Sequence, residues 1–484
     1  MGHPRISVKL GAKRAESWHF DLARSLRPLR DKGVLTVARG NIVHNLPVSV
    51  PRMPANQPDP ADWAMEFDDW VPRHITQAIS HLHTGRQCDL MDRMRPMRRS
   101  LLTLTLLLPL LTIDTGCSNS ELVAADSSSG ILMYVGPYTR GESKGIYAYR
   151  FQPSTGKVTP LGLAVATPNP SFVAVHPNRR YLYAVSEIGN FEGKRSGAVS
   201  AFSIDAKTGK LTLLNTVPSG GGGPCHLIVD KTGKTLLVAN YGGGSVASFP
   251  VKADGSLGEA ASFFQHTGSS VNPKRQQGPR AHSTTISPDN RFAFFSDLGL
   301  DEVTIYKLDA ATSKMEPNDP PYVKVKPGSG PRHFTFHPNG RFGYVVNEMG
   351  SSVTAFSYDP AKGALTEIQM VSTLPSDFTG ENNDAEIEVH PSGKFLYASN
   401  RGHDSIAVFS VDPKKGTLTR LELVPSGGKI PRNFAIAPEG KYLFAANQDS
   451  DNIVQFKIDQ ASGKLTPTGE TWKLGAPVCI VFVR

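Results

Sequence analysis

Four side chains that could perform acid–base chemistry occupy equivalent places in a repeated sequence. His282 and Arg332 each lie six residues before a repeat proline, whereas Glu348 and Arg401 each lie ten residues after one. An imidazole titrates near neutral pH and can act as a general base, and guanidinium groups offer fixed donors to an oxyanion or an anionic substrate. If the fold brings these places together, the four groups form a catalytic site, and the alternative is a solvated charged rim.

The repeat that carries these residues is the strongest indication of the fold. It reads Pro-x-Gly-Lys/Arg, an aromatic-rich strand, Asn or Asp, a turn, a second hydrophobic strand and x-Gly-x-Leu-Thr. Its clearest copies span 337–368, 390–421 and 437–468. A period of roughly 50 residues with about four short strands per unit is typical of a β-propeller.

The number of blades follows from the repeats and from the strands left over at both ends. Complete units begin near Asn169, Gly223, Arg280, Pro331, Asp384 and Pro431. Three unassigned strands precede them within 133–164, and one strand, 476–484, follows. Together these strands complete a seventh blade, and their pairing closes the ring without an exposed edge. The sequence therefore predicts an all-β, seven-bladed β-propeller over residues 131–484, closed by pairing of the C-terminal strand into the N-terminal blade.

Strand order predicts where the four groups meet. The first strand of each blade should lie nearest the axis, so its start and the end of the second strand share one face of the disc. Two long links, 266–283 and 375–387, should overhang the same mouth, and long loops in compact folds are usually functional. Positive side chains on the first link and at the repeat places predict a substrate-binding surface for an anionic ligand, made by Lys274, Arg275, Arg280 and Arg432.

Other residues of this region are expected to be structural. The Asn or Asp at the end of each second strand suits a turn. His226 and His333, one residue beyond the repeat place, should face the other way and pack. The mouth offers one histidine and no carboxylate cluster, and the chain has no Cys-x-x-Cys, so no metal and no cofactor are expected. The net charge of +9 lies mostly before residue 100, so nucleic-acid binding is not expected.

The segment before the propeller has the pattern of an export signal. Two arginines precede an uncharged apolar stretch within 97–117, which is too short to span a bilayer as a helix. Thr115-Gly116-Cys117 resembles a lipoprotein processing site, although Asp114 departs from the usual apolar residue, so Cys117 is the predicted lipidation site. Residues 1–96 are predicted to be an over-extended start or a disordered segment, and 118–130 a tether. The expected location is the periplasm or a membrane surface; without a signal it would be the cytoplasm.

The chain resembles the lactonase family of seven-bladed propellers, which includes propeller-type 6-phosphogluconolactonases and carboxy-cis,cis-muconate cyclases. The resemblance covers about 131–484, and its most specific stretches include NPSFVAVHPNRRYLYAVSE, GPRHFTFHPNGRFGYVVNE and IEVHPSGKFLYASNRGHDSIAVF. It places the family's active-site His, two Arg and Glu on the four residues already singled out. Many relatives read Pro-His-Ala-His where this chain has Pro-Arg-Ala-His, so Arg280 is expected to alter the fit of the substrate.

The resemblance implies a metal-independent lactone hydrolase of the 6-phosphogluconolactonase kind. In this scheme His282 activates water, Glu348 orients the His282 imidazole, and Arg332 and Arg401 stabilise the oxyanion. Two alternatives stay open: a carboxymuconate-type cycloisomerase that uses the same site, and an exported, non-catalytic propeller that binds a surface partner. The oligomeric state cannot be predicted from the sequence.

Overall fold

The structure, a computed structural model, describes residues 130–483. The predicted leader with Cys117, residues 1–96 and nearly all of the predicted tether therefore lie outside the described residues. Short runs rich in valine, aromatic residues and threonine, separated by Gly- and Pro-containing turns, form 28 strands. Within residues 130–483 no helix has the length and apolar character to cross a membrane.

The strands follow one another in regular groups of four. The first fourteen are β1 (Ile131–Pro137), β2 (Gly145–Phe151), β3 (Val158–Ala166), β4 (Val173–Val175), β5 (Tyr181–Ser186), β6 (Ala198–Ile204), β7 (Leu211–Pro218), β8 (Pro224–Val229), β9 (Thr235–Asn240), β10 (Ser245–Pro250), β11 (Ser262–Gln265), β12 (Ala281–Ile286), β13 (Phe292–Asp297) and β14 (Glu302–Asp309). The others are β15 (Lys314–Lys324), β16 (Pro331–Phe336), β17 (Phe342–Asn347), β18 (Ser352–Asp359), β19 (Ala364–Ser372), β20 (Asn383–Val389), β21 (Phe395–Arg401), β22 (Ser405–Val411), β23 (Leu418–Pro425), β24 (Pro431–Ile436), β25 (Tyr442–Asn447), β26 (Asn452–Ile458), β27 (Leu465–Lys473) and β28 (Pro477–Phe482).

These strands form seven four-stranded antiparallel sheets, which we number as blades 1 to 7. Blade 1 is β4–β7, and each later group of four forms the next blade, up to blade 6 with β24–β27. Blade 7 has the order β28-β1-β2-β3, so the last strand of the chain pairs with the first. The seven-bladed propeller and its closure, both predicted from the sequence, are confirmed.

The innermost strands form a closed ring. Strand β4 contacts β8, and the contacts continue through β12, β16, β20 and β24 to β28, which contacts β4 again. One apolar cluster lies between each pair of neighbouring blades. In the cluster between blades 4 and 5, for example, Tyr344 and Val346 pack with Leu396 and Ala398. Burial between faces of adjacent sheets, rather than within a single core, therefore holds the ring together.

Repeat residues also join each blade to the next by hydrogen bonds. His337, which precedes a repeat proline, bonds through Nε2 to the carbonyl oxygen of Gly393 at 2.8 Å. Gly393 has a φ of 72°, and a Cβ there would lie 2.6 Å from the His337 ring, so glycine is required. Tyr344 donates its hydroxyl to the carbonyl oxygen of Gly416 at 3.0 Å. These bonds explain the repeated histidine, tyrosine and glycine as structural residues.

Candidate active site

The second residue of four of the inner strands lies in a β-bulge. The pairing of each of four inner strands with its neighbour skips one residue, which forms a β-bulge. The skipped residues are Cys225, His282, Arg332 and Arg432. Because bulges redirect a side chain relative to the regular pleat, the same backbone feature in successive blades directs these groups to one mouth of the channel.

Glu348 lies at the centre of the predicted group. It directly follows β17, whose last residue, Asn347, is anchored by hydrogen bonds to Ser352 and Thr354. Its Oε2 lies 2.8 Å from Arg401 Nη2, 3.2 Å from Arg332 Nε and 3.8 Å from His282 Nε2. The structure therefore brings together the four residues predicted from repeats in blades 3, 4 and 5.

The charges around Glu348 keep it ionised. Burial by itself would raise its pKa, but Arg401, Arg332 and Arg275 lower the pKa to about 2. At neutral pH the carboxylate is therefore an anion surrounded by guanidinium groups, and a poor proton acceptor. It can hold those groups and orient a neighbouring imidazole, but it is poorly suited to activate water.

His282 is held neutral. It is 4% exposed, and burial, followed by the positive charges of Arg332 and Arg432 and by His333, lowers its pKa well below 6.5. Tyr241 meets it edge to face with ring centroids 5.2 Å apart, while Cys225 donates from Sγ to its carbonyl oxygen at 3.1 Å. A neutral imidazole with one nitrogen towards Glu348 can accept a proton from water.

The two predicted arginines have different positions. Arg401 lines the cavity, and its Nη2 also donates to the carbonyl oxygen of Asp384 at 3.0 Å. Arg332 is 2% exposed, donates from Nη1 to the carbonyl oxygen of Ala385 at 2.5 Å, and is absent from the cavity lining. Its Nε makes no aligned hydrogen bond although it lies close to Glu348. Arg332 thus supports the carboxylate from behind, whereas Arg401 faces the cavity.

The first long link delivers a third arginine to Glu348. Arg275 donates from Nη2 to Glu348 Oε1 at 2.6 Å and to the Tyr241 hydroxyl at 3.2 Å. The link is fastened at two points around the end of β13: His266 Nδ1 lies 2.7 Å from Asp297, the last residue of that strand, and Ser270 donates to Asp301, in the turn that follows, at 2.6 Å. These bonds fix the loop over the mouth, as predicted.

The opposite wall of the mouth belongs to blades 6, 7 and 1. Glu187 follows β5, and its Oε2 accepts hydrogen bonds from Tyr138 at 2.9 Å and Ser171 at 2.5 Å. Arg432 lies over the Tyr138 ring, with its guanidinium carbon 5.5 Å from the ring centroid. Burial opposes its charge, but Tyr138, Glu187 and Glu348 together raise the pKa of Arg432, so it stays protonated.

A cavity of about 270 Å³ lies between the two walls. It is lined by Glu187, Cys225, Tyr241, Arg275, His282, Glu348, Asn383, Arg401 and Arg432. Of the predicted substrate-binding residues, Arg275 and Arg432 belong to the lining, whereas Lys274 and Arg280 do not. The Arg280 guanidinium lies over the Tyr241 ring, 5.5 Å from its centroid, so Tyr241 separates it from the cavity.

Several lining residues were missed although the repeat contains their signal. Cys225 shares the repeat place of His282, and Glu187 and Tyr241 share that of Glu348. They were passed over because the prediction selected charged residues in neighbouring blades 3 to 5, whereas these come from blades 1 and 2. Asn383, at the start of β20, lies in the second long link predicted to overhang the mouth.

His333 was expected to face the other way from Arg332 and to pack, and it is buried outside the cavity lining. Its ring centroid lies 5.3 Å from that of His282 and 5.1 Å from that of His226. The bulge at Arg332 adds one residue to the strand, so strict alternation of side chains fails there. His333 Nδ1 lies 2.8 Å from Glu386 Oε1, and burial raises the pKa of Glu386 to about 7. These contacts agree with the packing role expected for His333.

No group of three or more His, Cys, Asp or Glu side chains within residues 130–483 has an arrangement that could hold a metal ion. The residues that line the cavity offer their own groups for chemistry. Those are a neutral imidazole, an ionised carboxylate and several guanidinium groups, which suits proton transfer and stabilisation of an oxyanion.

Comparison with known proteins identifies similar chains. A family model described as "Lactonase, 7-bladed beta-propeller" matches residues 132–482. The chain is 38% identical over 302 residues to a 6-phosphogluconolactonase of Bacillus subtilis, covering 62% of this chain and 83% of the relative. It is 38% identical over 308 residues to a 6-phosphogluconolactonase of Formosa agariphila, covering 63% of this chain and 86% of the relative. The solved periplasmic gluconolactonase of Pseudomonas aeruginosa is similar with a TM-score of 0.69 at 34% identity, covering 74% of this chain and 99% of that chain.

Proposed function

Because the chain belongs to the lactonase family of seven-bladed β-propellers, we propose that it hydrolyses a sugar lactone of the gluconolactone skeleton in the cavity around Glu348. Lactone hydrolysis is the activity named for its relatives in Bacillus subtilis and Formosa agariphila. The observation that carries the proposal for this chain is one mouth that combines neutral His282 with ionised Glu348 and cavity-facing Arg401.

The first chemical step uses His282 as the base. Its neutral imidazole accepts a proton from water, and the resulting hydroxide attacks the lactone carbonyl carbon. The imidazolium forms close to the Glu348 carboxylate, with Nε2 and Oε2 3.8 Å apart, and this negative charge offsets part of the repulsion from the surrounding arginines. Glu348 thus orients the imidazole and stabilises its charged form.

The guanidinium groups stabilise the negative charge that develops on the carbonyl oxygen. Arg401 and Arg275 face the cavity and supply fixed donors. Arg332 is buried behind Glu348, so we assign it to holding the carboxylate rather than to direct contact with substrate. Collapse of the tetrahedral intermediate breaks the bond from the carbonyl carbon to the ring oxygen, and the His282 imidazolium returns its proton to that oxygen. The product is a hydroxy acid, which ionises and releases one proton.

The released proton provides a direct assay. Purified protein should open glucono-1,5-lactone or its 6-phosphate well above the spontaneous rate, measured in a pH-stat at constant pH. A panel containing a carboxymuconate-type diacid tests the cycloisomerase alternative in the same experiment. Turnover of the diacid without opening of either lactone would contradict the proposal, and no turnover of any substrate would favour a binding function.

We also propose that the enzyme acts outside the cytoplasm. The support is the export-signal pattern of residues 97–117 and the similarity to a periplasmic gluconolactonase. Fractionation of cells that express the native chain tests the location. A chain found in the cytoplasm with its 97–117 segment intact would contradict this proposal.

A further inference from the structure

The wall of the cavity opposite Glu348 contains a charged pair that the proposed chemistry does not use. Arg432 from blade 6 and Glu187 from blade 1 flank Tyr138, which follows β1, the second strand of blade 7. Strands β24, β28 and β4 are consecutive in the inner ring, so these residues form one continuous corner. The groups around Glu348 come from blades 3, 4 and 5, across the channel.

The donors of Arg432 are free within the described part of the chain. Arg275, Arg332 and Arg401 each contact Glu348. Arg432, by contrast, has no hydrogen-bond acceptor and no ion-pair partner among residues 130–483, and Tyr138 holds it in place by its ring face. A guanidinium carries N–H donors in a fixed fork. Because Arg432 lines the cavity, those donors are available to a ligand that binds there.

Glu187 supplies the complementary acceptor. Two neutral hydroxyl groups, those of Tyr138 and Ser171, fix its Oε2, and no residue within 130–483 donates to its Oε1. The carboxylate is therefore oriented but not paired with a cation at hydrogen-bonding distance. A free acceptor and a free donor fork next to each other match a hydroxyl-bearing chain, because each hydroxyl both donates and accepts a hydrogen bond.

We propose that Glu187, Tyr138 and Arg432 form a recognition subsite for the hydroxyl groups of the lactone, and that Glu187 makes the enzyme prefer a neutral polyhydroxy lactone to its phosphorylated counterpart. This inference rests on the proposed function and specifies its substrate class. A phosphate in the corner would gain from Arg432 but would meet the like charge of Glu187. Arg275 and Arg401 lie on the other wall, against Glu348, and Lys274 is absent from the lining, so Arg432 and Glu187 set the charge of the corner itself.

The test compares two substrates in matched variants of the full chain. We expect the wild-type kcat/KM for glucono-1,5-lactone to exceed that for its 6-phosphate. Glu187→Gln removes the charge and keeps the shape, so it should lower kcat/KM for the neutral lactone roughly tenfold, mainly through KM, since a hydrogen bond to a charged group contributes about that much. The ratio between the two substrates should therefore shift by about tenfold or more towards the phosphorylated lactone.

Two further variants control this result. Asp449→Asn also removes one negative charge near the mouth, but Asp449 is paired with Arg140 and is absent from the cavity lining, so the ratio should not change. Tyr138→Phe keeps the ring under Arg432 and removes only the hydroxyl that orients Glu187, so it should shift the ratio in the direction of Glu187→Gln but less. It also keeps the test informative if Glu187→Gln does not fold.

Calorimetric binding of gluconate and 6-phosphogluconate separates this inference from the proposed hydrolysis. Tighter binding of gluconate by the wild type, reversed in Glu187→Gln, would support the subsite even if no lactone were opened. A wild-type preference for the phosphorylated compounds overturns the subsite but leaves lactone hydrolysis standing. A ratio that changes less than twofold in Glu187→Gln, or equally in Asp449→Asn, also overturns it.

Discussion

Replacement of Glu348 by glutamine tests the charge arrangement at the centre of the site. The substitution keeps the shape of the side chain and removes the negative charge that Arg275, Arg332 and Arg401 share. The pKa of Glu348 is lowered from 4.5 to about 2. This lowering corresponds to roughly 3 kcal/mol of unfolding free energy.

The pH dependence of this loss has a definite sign. A carboxyl group with a lowered pKa stabilises the folded state above its unfolded pKa of 4.5, and this contribution disappears as the pH falls towards about 2. The Glu348→Gln variant should therefore be less stable than the wild type by about 3 kcal/mol at pH 7, and by less than half of that at pH 3. Urea unfolding followed by fluorescence at both pH values measures the difference.

A second buried glutamate provides the matched control. Glu386 has a pKa raised to about 7, so in the folded state it is already partly protonated at neutral pH. Glu386→Gln should therefore cost much less stability at pH 7 than Glu348→Gln. A loss of less than about 1 kcal/mol at pH 7 in Glu348→Gln, or similar losses in the two variants, would contradict this charge arrangement.

Three other outcomes are expected. His282→Asn should lower kcat on the order of 10²–10⁴-fold, the typical contribution of a general base, with wild-type thermal stability by calorimetry; an unchanged kcat would remove His282 from the mechanism. Burial, Arg332 and other groups lower the pKa of His282, so kcat/KM of the wild type should fall on the acid side only well below pH 6.5. In Arg332→Gln the remaining activity should fall at a higher pH than in the wild type. A wild-type midpoint at pH 6.5 would contradict the neutral imidazole. Dialysis against EDTA should leave kcat/KM unchanged, and a loss restored by a divalent cation would show that the side chains do not act alone.

Much of the fold could be predicted because the repeat is periodic. The spacing of the repeat prolines and the unpaired strands at the two ends determine seven blades and the closure of the last. The ends of the second strands were also accessible: the Asn or Asp expected there is Asn347 in β17, the last residue of that strand. This success depends on a regular pattern of inward and outward residues repeated in every blade.

The site could be predicted only in part, because side-chain direction depends on backbone irregularities. Counting from the repeat proline placed His282, Arg332 and Glu348 at one mouth, but the bulge that turns Arg332 behind the carboxylate has no sequence signature. Near the same bulge, the His333 ring lies 5.3 Å from that of His282, a contact that simple alternation along the strand did not predict. Arg275 was recognised only as a positive charge, because its partner Glu348 is 73 residues away along the chain.

The most direct test of the account is the rate at which saturating gluconolactone is opened by the wild type and by Arg401→Gln, each corrected for the spontaneous reaction. Of the two arginines that the sequence assigned to the oxyanion, Arg332 and Arg401, only Arg401 lines the cavity, and its Nη2 lies 2.8 Å from Glu348 Oε2. The account predicts rapid turnover by the wild type and a fall in kcat on the order of 10²–10³-fold in the variant. Equal kcat values for the two proteins would contradict it.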